Sequence, residues 1–224
     1  MLHALLLAAT LATTPAGPSR TTLEALVPRA SHAALDAALA AWSHAMRSGA
    51  VRRPEVLTFI DYSRPSTEPR LFVLDLKASR VTFAELVAHG RGSGENAAER
   101  FSNRDGSHMS SLGVFRSGGT YTGQHGLSLR LDGLEPGFND RARERAIVMH
   151  AAGYVSETMI AAQGRLGRSW GCPAVRPAIA RKLIEAIEGG SLVVAYYPDA
   201  GWLTGSAFLG GAAPALRASR ADPS

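Results

Sequence analysis

The single cysteine of the chain, Cys172, lies in the sequence Gly-Arg-Ser-Trp-Gly-Cys-Pro-Ala-Val at 167–175. A thiolate is a strong nucleophile, and a helix predicted to begin near Pro177 would lower the thiol pKa through the positive end of its dipole. Gly171 lets the backbone approach a substrate closely, and successive N–H groups in such a turn can point at one oxygen. The segment fits a nucleophile beside an oxyanion hole, with a buried structural cysteine as the alternative.

A nucleophilic thiol needs a base, and the chain has seven histidines. His150 ends the apolar run Ala-Ile-Val-Met-His at 146–150 and is followed by small residues. Its side chain is therefore predicted to emerge where a strand gives way to a loop, a usual place for a catalytic group. The histidines have no short spacing of the kind that metal ligands show, so we expect no metal site.

The composition limits the classes of protein to which the chain can belong. With 224 residues, 46% of them hydrophobic, it can form one sizeable domain and is not wholly disordered. One cysteine excludes a disulfide framework and a Cys-rich zinc module. The net charge of +5 comes from scattered basic residues without a basic tract, so we expect no nucleic-acid partner.

The first residues resemble a signal peptide. Residues 1–16 contain an apolar run that is too short to span a bilayer, which needs about 20 residues, and a small residue, Ala16, precedes a more polar segment. We expect cleavage near Gly17, export to the periplasm or cell envelope, and no transmembrane segment after processing. An apolar first helix packed on the core is the alternative.

The elements that would position the cysteine and the histidine are mainly strands. Residues 17–55 are predicted to be helical, with an apolar stripe that begins after Ser31 and ends at Gly49. Two further helices are predicted over 138–146 and 177–188. Short β-rich runs occur at 56–61, 71–76, 85–90, 112–115, 127–131, 146–150 and 192–197.

This pattern predicts a mainly β fold with peripheral helices (α+β), either a β-sandwich or a distorted barrel. The glycine-rich stretch 90–94 lacks the Lys-Ser/Thr of a phosphate loop and is predicted to be a flexible turn. Residues 199–224 are predicted to form a poorly packed, low-complexity tail. The catalytic domain would then occupy residues 56–198.

Four blocks in this order carry a family resemblance, with support from residues 57–76 and 86–103: MSSLGVF (109–115), YTGQHGLSLRLDGLEPGFND (121–140), RAIVMHAAGYVS (145–156) and GRSWGCPAV (167–175). Together they resemble the YkuD-type L,D-transpeptidases, and best a divergent branch of murein L,D-transpeptidase catalytic domain proteins. The resemblance covers about residues 56–198 and implies an L,D-transpeptidase-like fold.

The resemblance also implies roles for single residues. Cys172 matches the family's nucleophile and His150 the histidine that activates it, with the carbonyl of Ala151 orienting the imidazole. Ser169 and Gly171 match the small residues of the Ser-His-Gly-Cys signature. Backbone N–H groups around Gly171 and Cys172 would form the oxyanion hole.

Two positions depart from the family pattern. Trp170 replaces the second signature histidine, and Pro173-Ala174 stands where an apolar residue and an arginine are usual. Arg168 or Arg176 is expected to replace the missing arginine. The candidate substrate-binding residues are His125, Trp170, Arg168 and Arg176.

The function implied by the resemblance is that of an exported cysteine acyltransferase acting on peptidoglycan peptide stems. The thiol would attack a tetrapeptide stem, release D-alanine, and pass the acyl group to an amine on a neighbouring stem. No cofactor is expected, and carbapenem-type compounds are expected to acylate the site. The alternatives are an L,D-carboxypeptidase or other cysteine hydrolase of wall peptides, and a non-catalytic wall-binding module.

Overall fold

The computed structural model describes residues 19–210, so the predicted signal peptide (1–16) and residues 211–224 of the predicted tail lie outside the described residues. No helix in the described range is long and apolar enough to cross a bilayer. The strands are β1 (Val56–Asp61), β2 (Leu71–Asp75), β3 (Arg80–Glu85), β4 (Gly113–Gly123), β5 (Gly126–Gly133), β6 (Val148–Ala151), β7 (Ala174–Val175) and β8 (Leu192–Tyr196). The α-helices are α1 (Arg20–Leu26), α2 (His32–Ser48), α3 (Glu157–Gln163), α4 (Pro177–Ile187) and α5 (Ala200–Gly205).

All eight strands belong to one sheet, in the order β3-β2-β1-β8-β4-β5-β6-β7. The two ends of the sheet approach each other, because the segment after β3 forms an antiparallel bridge from Ala88 to Ala174 in β7. The fold is therefore mostly β, a nearly closed barrel-like sheet with several helices, which confirms the predicted class. Of the two predicted architectures, it is the distorted barrel.

The centre of the sheet is its most apolar part. Strand β1 is buried at all six positions and pairs in parallel with β8, which is buried at all five. Continuous burial requires cover on both faces, and helices α2 and α4 both pack against β1. Because α2 and β1 belong to the same hydrophobic core, the helical segment before residue 56 packs onto the barrel.

The two longest helices begin and end where their sequences predict. The Ser31 hydroxyl accepts the backbone N–H of Ala34, and Gly49 ends α2 in the left-handed conformation, with φ +66°. Pro177 begins α4, where its missing N–H leaves no hydrogen bond unmade.

The helix predicted over 138–146 is absent, and this stretch is a series of turns. Within it, the side-chain amide of Asn139 donates to the carbonyls of Leu112 and Val114. Its Oδ1 accepts the N–H of Glu135. These bonds tie the turns to β4, and no local sequence signal shows them.

Two predictions for the stretch 80–94 are also wrong. The strand predicted over 85–90 lies earlier, as β3, and residues 86–90 contribute only isolated bridges. The stretch 90–94 is not a flexible turn, because Ser93 is completely buried and Gly90 lies against the backbone of His108 and Gly171. Its glycines allow close packing of backbone segments.

The first half of the predicted tail is part of the folded domain. Residues 200–205 form α5, and Trp202 is completely buried. The Trp202 indole N–H donates to Glu135 Oε2 at 3.0 Å, and the Ser206 hydroxyl donates to Glu135 Oε1. Composition pointed to a poorly packed tail because this buried carboxylate partner lies over 60 residues away in sequence.

Candidate active site

The β6–β7 pair brings the cysteine and the histidine together. His150 of β6 is in register with Ala174 of β7, and Cys172 lies two residues before Ala174. The loop that precedes β7 therefore places Cys172 close to the end of β6 that carries His150. Both line one cavity of about 730 Å³.

His150 is held in a form that can accept a proton. Its Nδ1 lies 2.9 Å from the carbonyl of Ala151 and donates to it, which leaves the lone pair on Nε2. Burial lowers the pKa of His150, the bond to Ala151 raises it, and the nearby His125 lowers it. The imidazole is therefore neutral at neutral pH, with its orientation set by the Ala151 carbonyl.

The Cys172 thiol rests in a neutral form. Burial raises the pKa of Cys172, while the backbone N–H of Val148 and the charge of Arg145 lower it. The expected effect of the α4 dipole is wrong, because α4 begins five residues after Cys172 and β7 lies between them. A neutral thiol needs a base to become a nucleophile.

Two backbone groups at the start of β6 contact the sulfur. The thiol donates to the carbonyl of Ala146 at 3.6 Å, and the Val148 N–H donates to the sulfur at 3.4 Å. Ala146 has φ +52°, a left-handed conformation that is unusual for a residue other than glycine. This strained turn brings the Ala146 carbonyl and the Val148 N–H within hydrogen-bonding distance of the Cys172 sulfur.

The loop that carries the cysteine depends on Gly171 and Ser169. Gly171 has φ +126°, and a Cβ at this position would lie 2.8 Å from the carbonyl oxygen of Met109. The Ser169 hydroxyl accepts the Gly171 N–H at 3.0 Å and donates to the Cys172 carbonyl at 2.6 Å. The Gly171 N–H is thus engaged, contrary to the expectation that it forms part of an oxyanion hole. Among the described residues the Cys172 N–H has no acceptor.

Arg145 is a site residue that the sequence did not indicate. It lines the cavity and is half-buried, and its charge favours the Cys172 thiolate. Its guanidinium donates to four acceptors between residues 102 and 111, namely the carbonyls of Ser102 and Met109 and the hydroxyls of Ser107 and Ser111. In the sequence it is one of three arginines between 141 and 145, and nothing there distinguishes it.

Three of the four candidate substrate-binding residues line the cavity. The ring of His125, at the tip of the β4–β5 hairpin, stacks on His150. Arg168 lines the cavity and forms an ion pair with Glu95 at 2.6 Å. Arg176 does not line the cavity and pairs instead with Glu85 through three short hydrogen bonds, so it does not replace the missing arginine.

Two exposed aromatic side chains border the same cavity. Trp170 is 69% exposed and Tyr121 is 36% exposed, and within residues 19–210 they are the exposed large apolar side chains.

Tyr154 is a further residue that lines the cavity and that the sequence did not single out. Burial and the nearby Cys172 raise the pKa of Tyr154 to about 12, so its hydroxyl keeps its proton.

The arrangement is that of an acyl-transfer site. A thiol, a neutral imidazole oriented by a carbonyl, an open backbone N–H and a cation share one cavity. Within the part of the chain that the structure describes, no cluster of three His, Cys, Asp or Glu side chains could hold a metal ion.

Comparison with solved structures finds L,D-transpeptidases, all of low sequence identity. The enzyme from Mycobacterium smegmatis has 13% identity and a TM-score of 0.39, over 64% of this chain and 59% of its own. The enzyme from Stackebrandtia nassauensis has 14% identity and a TM-score of 0.38, over 73% and 65%. L,D-transpeptidase LdtMt1 in complex with imipenem has 13% identity and a TM-score of 0.39, over 63% and 59%.

This chain thus spans about three-fifths of the length of these structures. No curated protein is similar enough in sequence to count as a match. The family model of the L,D-transpeptidase catalytic domain matches residues 27–196, which is most of the chain. The chain therefore belongs to the L,D-transpeptidase catalytic domain family, whose members modify peptidoglycan.

Proposed function

We propose that the protein is an exported cysteine L,D-transpeptidase that cross-links peptidoglycan stems through a thioester on Cys172. The observation that carries the proposal is the pairing of a neutral His150, fixed by its bond to the Ala151 carbonyl, with a thiol in the same cavity. The raised pKa of Cys172, caused by burial, supports general-base activation of the thiol.

Acylation follows from these groups. His150 Nε2 takes the thiol proton, and the sulfur attacks the carbonyl between the L-centre of the third-position diamino acid and the terminal D-alanine. The Cys172 N–H donates to the oxygen that becomes negative. His150 then gives its proton to the departing nitrogen, the C–N bond breaks, and free D-alanine leaves a thioester.

The second half of the reaction reverses these roles. An amine on a neighbouring stem attacks the thioester, and His150 accepts its proton. The C–S bond breaks, the proton returns to the sulfur, and a cross-link between two third-position residues is complete. Water in place of the amine would make the protein an L,D-carboxypeptidase with the same residues.

Arg145 and Ser169 support this chemistry without taking part in bond making. Arg145 stabilises the thiolate and holds the facing loop, and Ser169 fixes the Gly171–Cys172 turn. In this proposal Arg145 fills the place of the family arginine that Arg168 or Arg176 was expected to fill. His150 is the base, and Ser169 is a positioning residue.

Incubation of the purified protein with tetrapeptide muropeptides, followed by mass spectrometry, tests the proposal. A cross-linked dimer with loss of one D-alanine is expected, whereas a tripeptide alone would assign a carboxypeptidase. Cys172→Ala should abolish both products, and His150→Gln should slow acylation about a hundredfold or more. Imipenem, found bound to LdtMt1, is proposed as an acylating probe of the same thiol.

If no product forms and the thiol does not react with an alkylating agent, the protein would instead be a non-catalytic wall-binding module. Export is tested separately, by the N-terminal sequence of protein recovered from outside the cytoplasm. That protein is expected to begin near Gly17.

A further inference from the structure

A second cavity of about 150 Å³ opens beside the proposed active site. It is lined by Asp105, Gly106, His108, Arg145 and Trp170. Arg145 and Trp170 also line the larger cavity, so the two spaces share a wall. A ligand in the larger cavity could therefore extend into the smaller one.

The apolar part of this second cavity is the indole of Trp170. The ring is held on the His108 imidazole, with 5.0 Å between centroids and 24° between planes, and the Arg91 guanidinium lies 5.7 Å from its centroid. Most of the Trp170 surface nevertheless remains open to solvent. An aromatic side chain that is both fixed and exposed at a cavity is typical of a binding surface.

The polar part has one unpaired acceptor and one unpaired donor. Among the described residues, the Asp105 carboxylate accepts no hydrogen bond. The Arg91 Nε–H donates to His108 Nδ1 at 3.3 Å, which places the proton of the neutral imidazole on Nε2, and this N–H has no partner in the described chain. A hydroxyl group can donate to the carboxylate and accept from the imidazole.

The charges at this cavity argue against an ionic ligand. A cationic ligand is disfavoured because Arg145 is on the cavity wall and Arg91 is close by. An anionic ligand is disfavoured because the four guanidinium hydrogen bonds of Arg145 already go to protein acceptors, while Asp105 would repel it. The site suits a neutral ring with hydroxyl groups and an apolar face.

We propose that this second cavity binds a pyranose ring of the glycan strand that carries the peptide stem. The proposal rests on the proposed function, because the glycan is joined to the stem that occupies the larger cavity. The C–H face of the sugar would lie on Trp170, and its hydroxyls would pair with Asp105 and His108. The protein would then favour stems that are still attached to their sugars.

Binding can be measured without catalysis, using Cys172→Ala protein and the N-acetylglucosaminyl–N-acetylmuramyl disaccharide without peptide. The other two tryptophans, Trp42 and Trp202, are buried, so a change in fluorescence reports Trp170. Saturable quenching is expected, and Asp105→Asn should weaken it about tenfold, the scale of one lost hydrogen bond. Glu185→Gln, a neutralised carboxylate exposed on α4, serves as the matched control and should bind normally.

Turnover gives the second measurement, as the ratio of kcat/KM for the disaccharide-tetrapeptide to that for the free tetrapeptide. The ratio should be about ten or more for the unaltered protein and should fall toward one in Asp105→Asn. Equal kcat/KM values without disaccharide quenching would overturn the sugar site and leave the transpeptidase proposal intact. Quenching by the free peptide but not by the disaccharide would also overturn the sugar site. A third outcome is disaccharide binding that depends on Asp105 in a protein that shows no turnover. That result would support the sugar site and contradict the proposed function.

Discussion

The imidazole of His125 lies on that of His150, with 4.3 Å between the ring centroids and 22° between the ring planes. His125 comes from the tip of the β4–β5 hairpin, whereas His150 is the last residue but one of β6. The contact therefore joins an outer hairpin to the proposed base. It adds to the burial of His150 and places a second titratable group beside it.

This stacking predicts a shift in the pH dependence of acylation. The pKa of His150 is lowered by burial and by the charge of His125, and His150 acts as a base only when it is neutral. His125→Phe keeps the stacked ring but removes the charge, so the pKa of His150 should rise and the acid limb of kcat/KM should move to higher pH. His125→Ala also admits water and should move it further. An unchanged or lower acid limb in both variants would contradict this account.

A second prediction concerns the cation beside the thiol. Arg145→Met should raise the pKa of Cys172 further, because a positive charge next to the thiolate is lost. The pH dependence of alkylation by iodoacetamide measures this shift. Arg145→Lys keeps the charge but cannot form the same fork of hydrogen bonds.

The lysine variant separates the electrostatic role from the structural one. It should leave the alkylation midpoint near that of the unaltered protein while lowering the free energy of unfolding by roughly 2 kcal/mol, the scale of one or two lost charged hydrogen bonds. If the alkylation midpoint rose as far in Arg145→Lys as in Arg145→Met, the hydrogen bonds of Arg145, and not its charge, would set the pKa of Cys172.

The contrast between Arg145 and Cys172 shows how far the sequence could predict the site. Cys172 and His150 were found because a lone cysteine in a glycine-containing turn and a histidine at the end of an apolar run are local patterns. Arg145 was missed because its acceptors lie 34 to 43 residues away and are mostly backbone or small hydroxyl groups. The roles of Asn139 and Trp202 were not predicted for the same reason, because their hydrogen-bond partners also lie far away in the sequence.

Strands were predicted more reliably than their ends. The runs at β1 and β8 are apolar enough to be identified without context, and both are buried throughout. The position of β3 is predicted wrongly because most of its residues are exposed or half-buried, and they show little of the apolar pattern that identifies a strand. The helix dipole at Cys172 was expected because the two-residue strand β7, which separates the cysteine from α4, is too short to recognise.

The conformation of Gly171 gives a third prediction. Gly171→Ala places a Cβ 2.8 Å from the Met109 carbonyl at a φ of +126°, so the Cys172 loop must move. We expect a loss of about 1–3 kcal/mol in the free energy of unfolding and a fall of at least tenfold in acylation rate. Gly119→Ala is the matched control, since nothing lies within 4 Å of its added methyl group and its φ is not positive. Equal behaviour of the two variants, by thermal unfolding and imipenem labelling, would refute the role of Gly171.

A fourth prediction separates stability from activity. Trp202→Phe removes the hydrogen bond to Glu135 and keeps most of the buried aromatic volume, so it should lower the free energy of unfolding by about 1–2 kcal/mol. Trp202→Ala also leaves a cavity and should lower it by about 3–5 kcal/mol. Neither Trp202 nor Glu135 lines the proposed active site, so kcat/KM should stay unchanged at temperatures where each variant is folded. Chemical denaturation alongside turnover of muropeptides checks both halves.

The last prediction concerns a second donor for the oxyanion. The Gly171 N–H is bound to Ser169, which leaves the Cys172 N–H as the open backbone donor in this turn. Tyr154 lines the same cavity, and Gly167 packs against its ring, since a Cβ at Gly167 would collide with the Tyr154 side chain. Because burial and Cys172 raise its pKa to about 12, the Tyr154 hydroxyl remains a donor over the whole working pH range.

Tyr154→Phe removes this hydroxyl and keeps the ring that fills the space beside Gly167. If the hydroxyl donates to the tetrahedral oxygen, kcat for acylation should fall about 10²–10³-fold, the usual effect of losing one oxyanion donor, with KM little changed. The alkylation rate of Cys172 by iodoacetamide, which forms no oxyanion, should stay within a few-fold of the original. A parallel loss in both reactions would instead assign Tyr154 to the environment of the thiol, and an unchanged acylation rate would leave the Cys172 N–H as the donor on which the oxyanion depends.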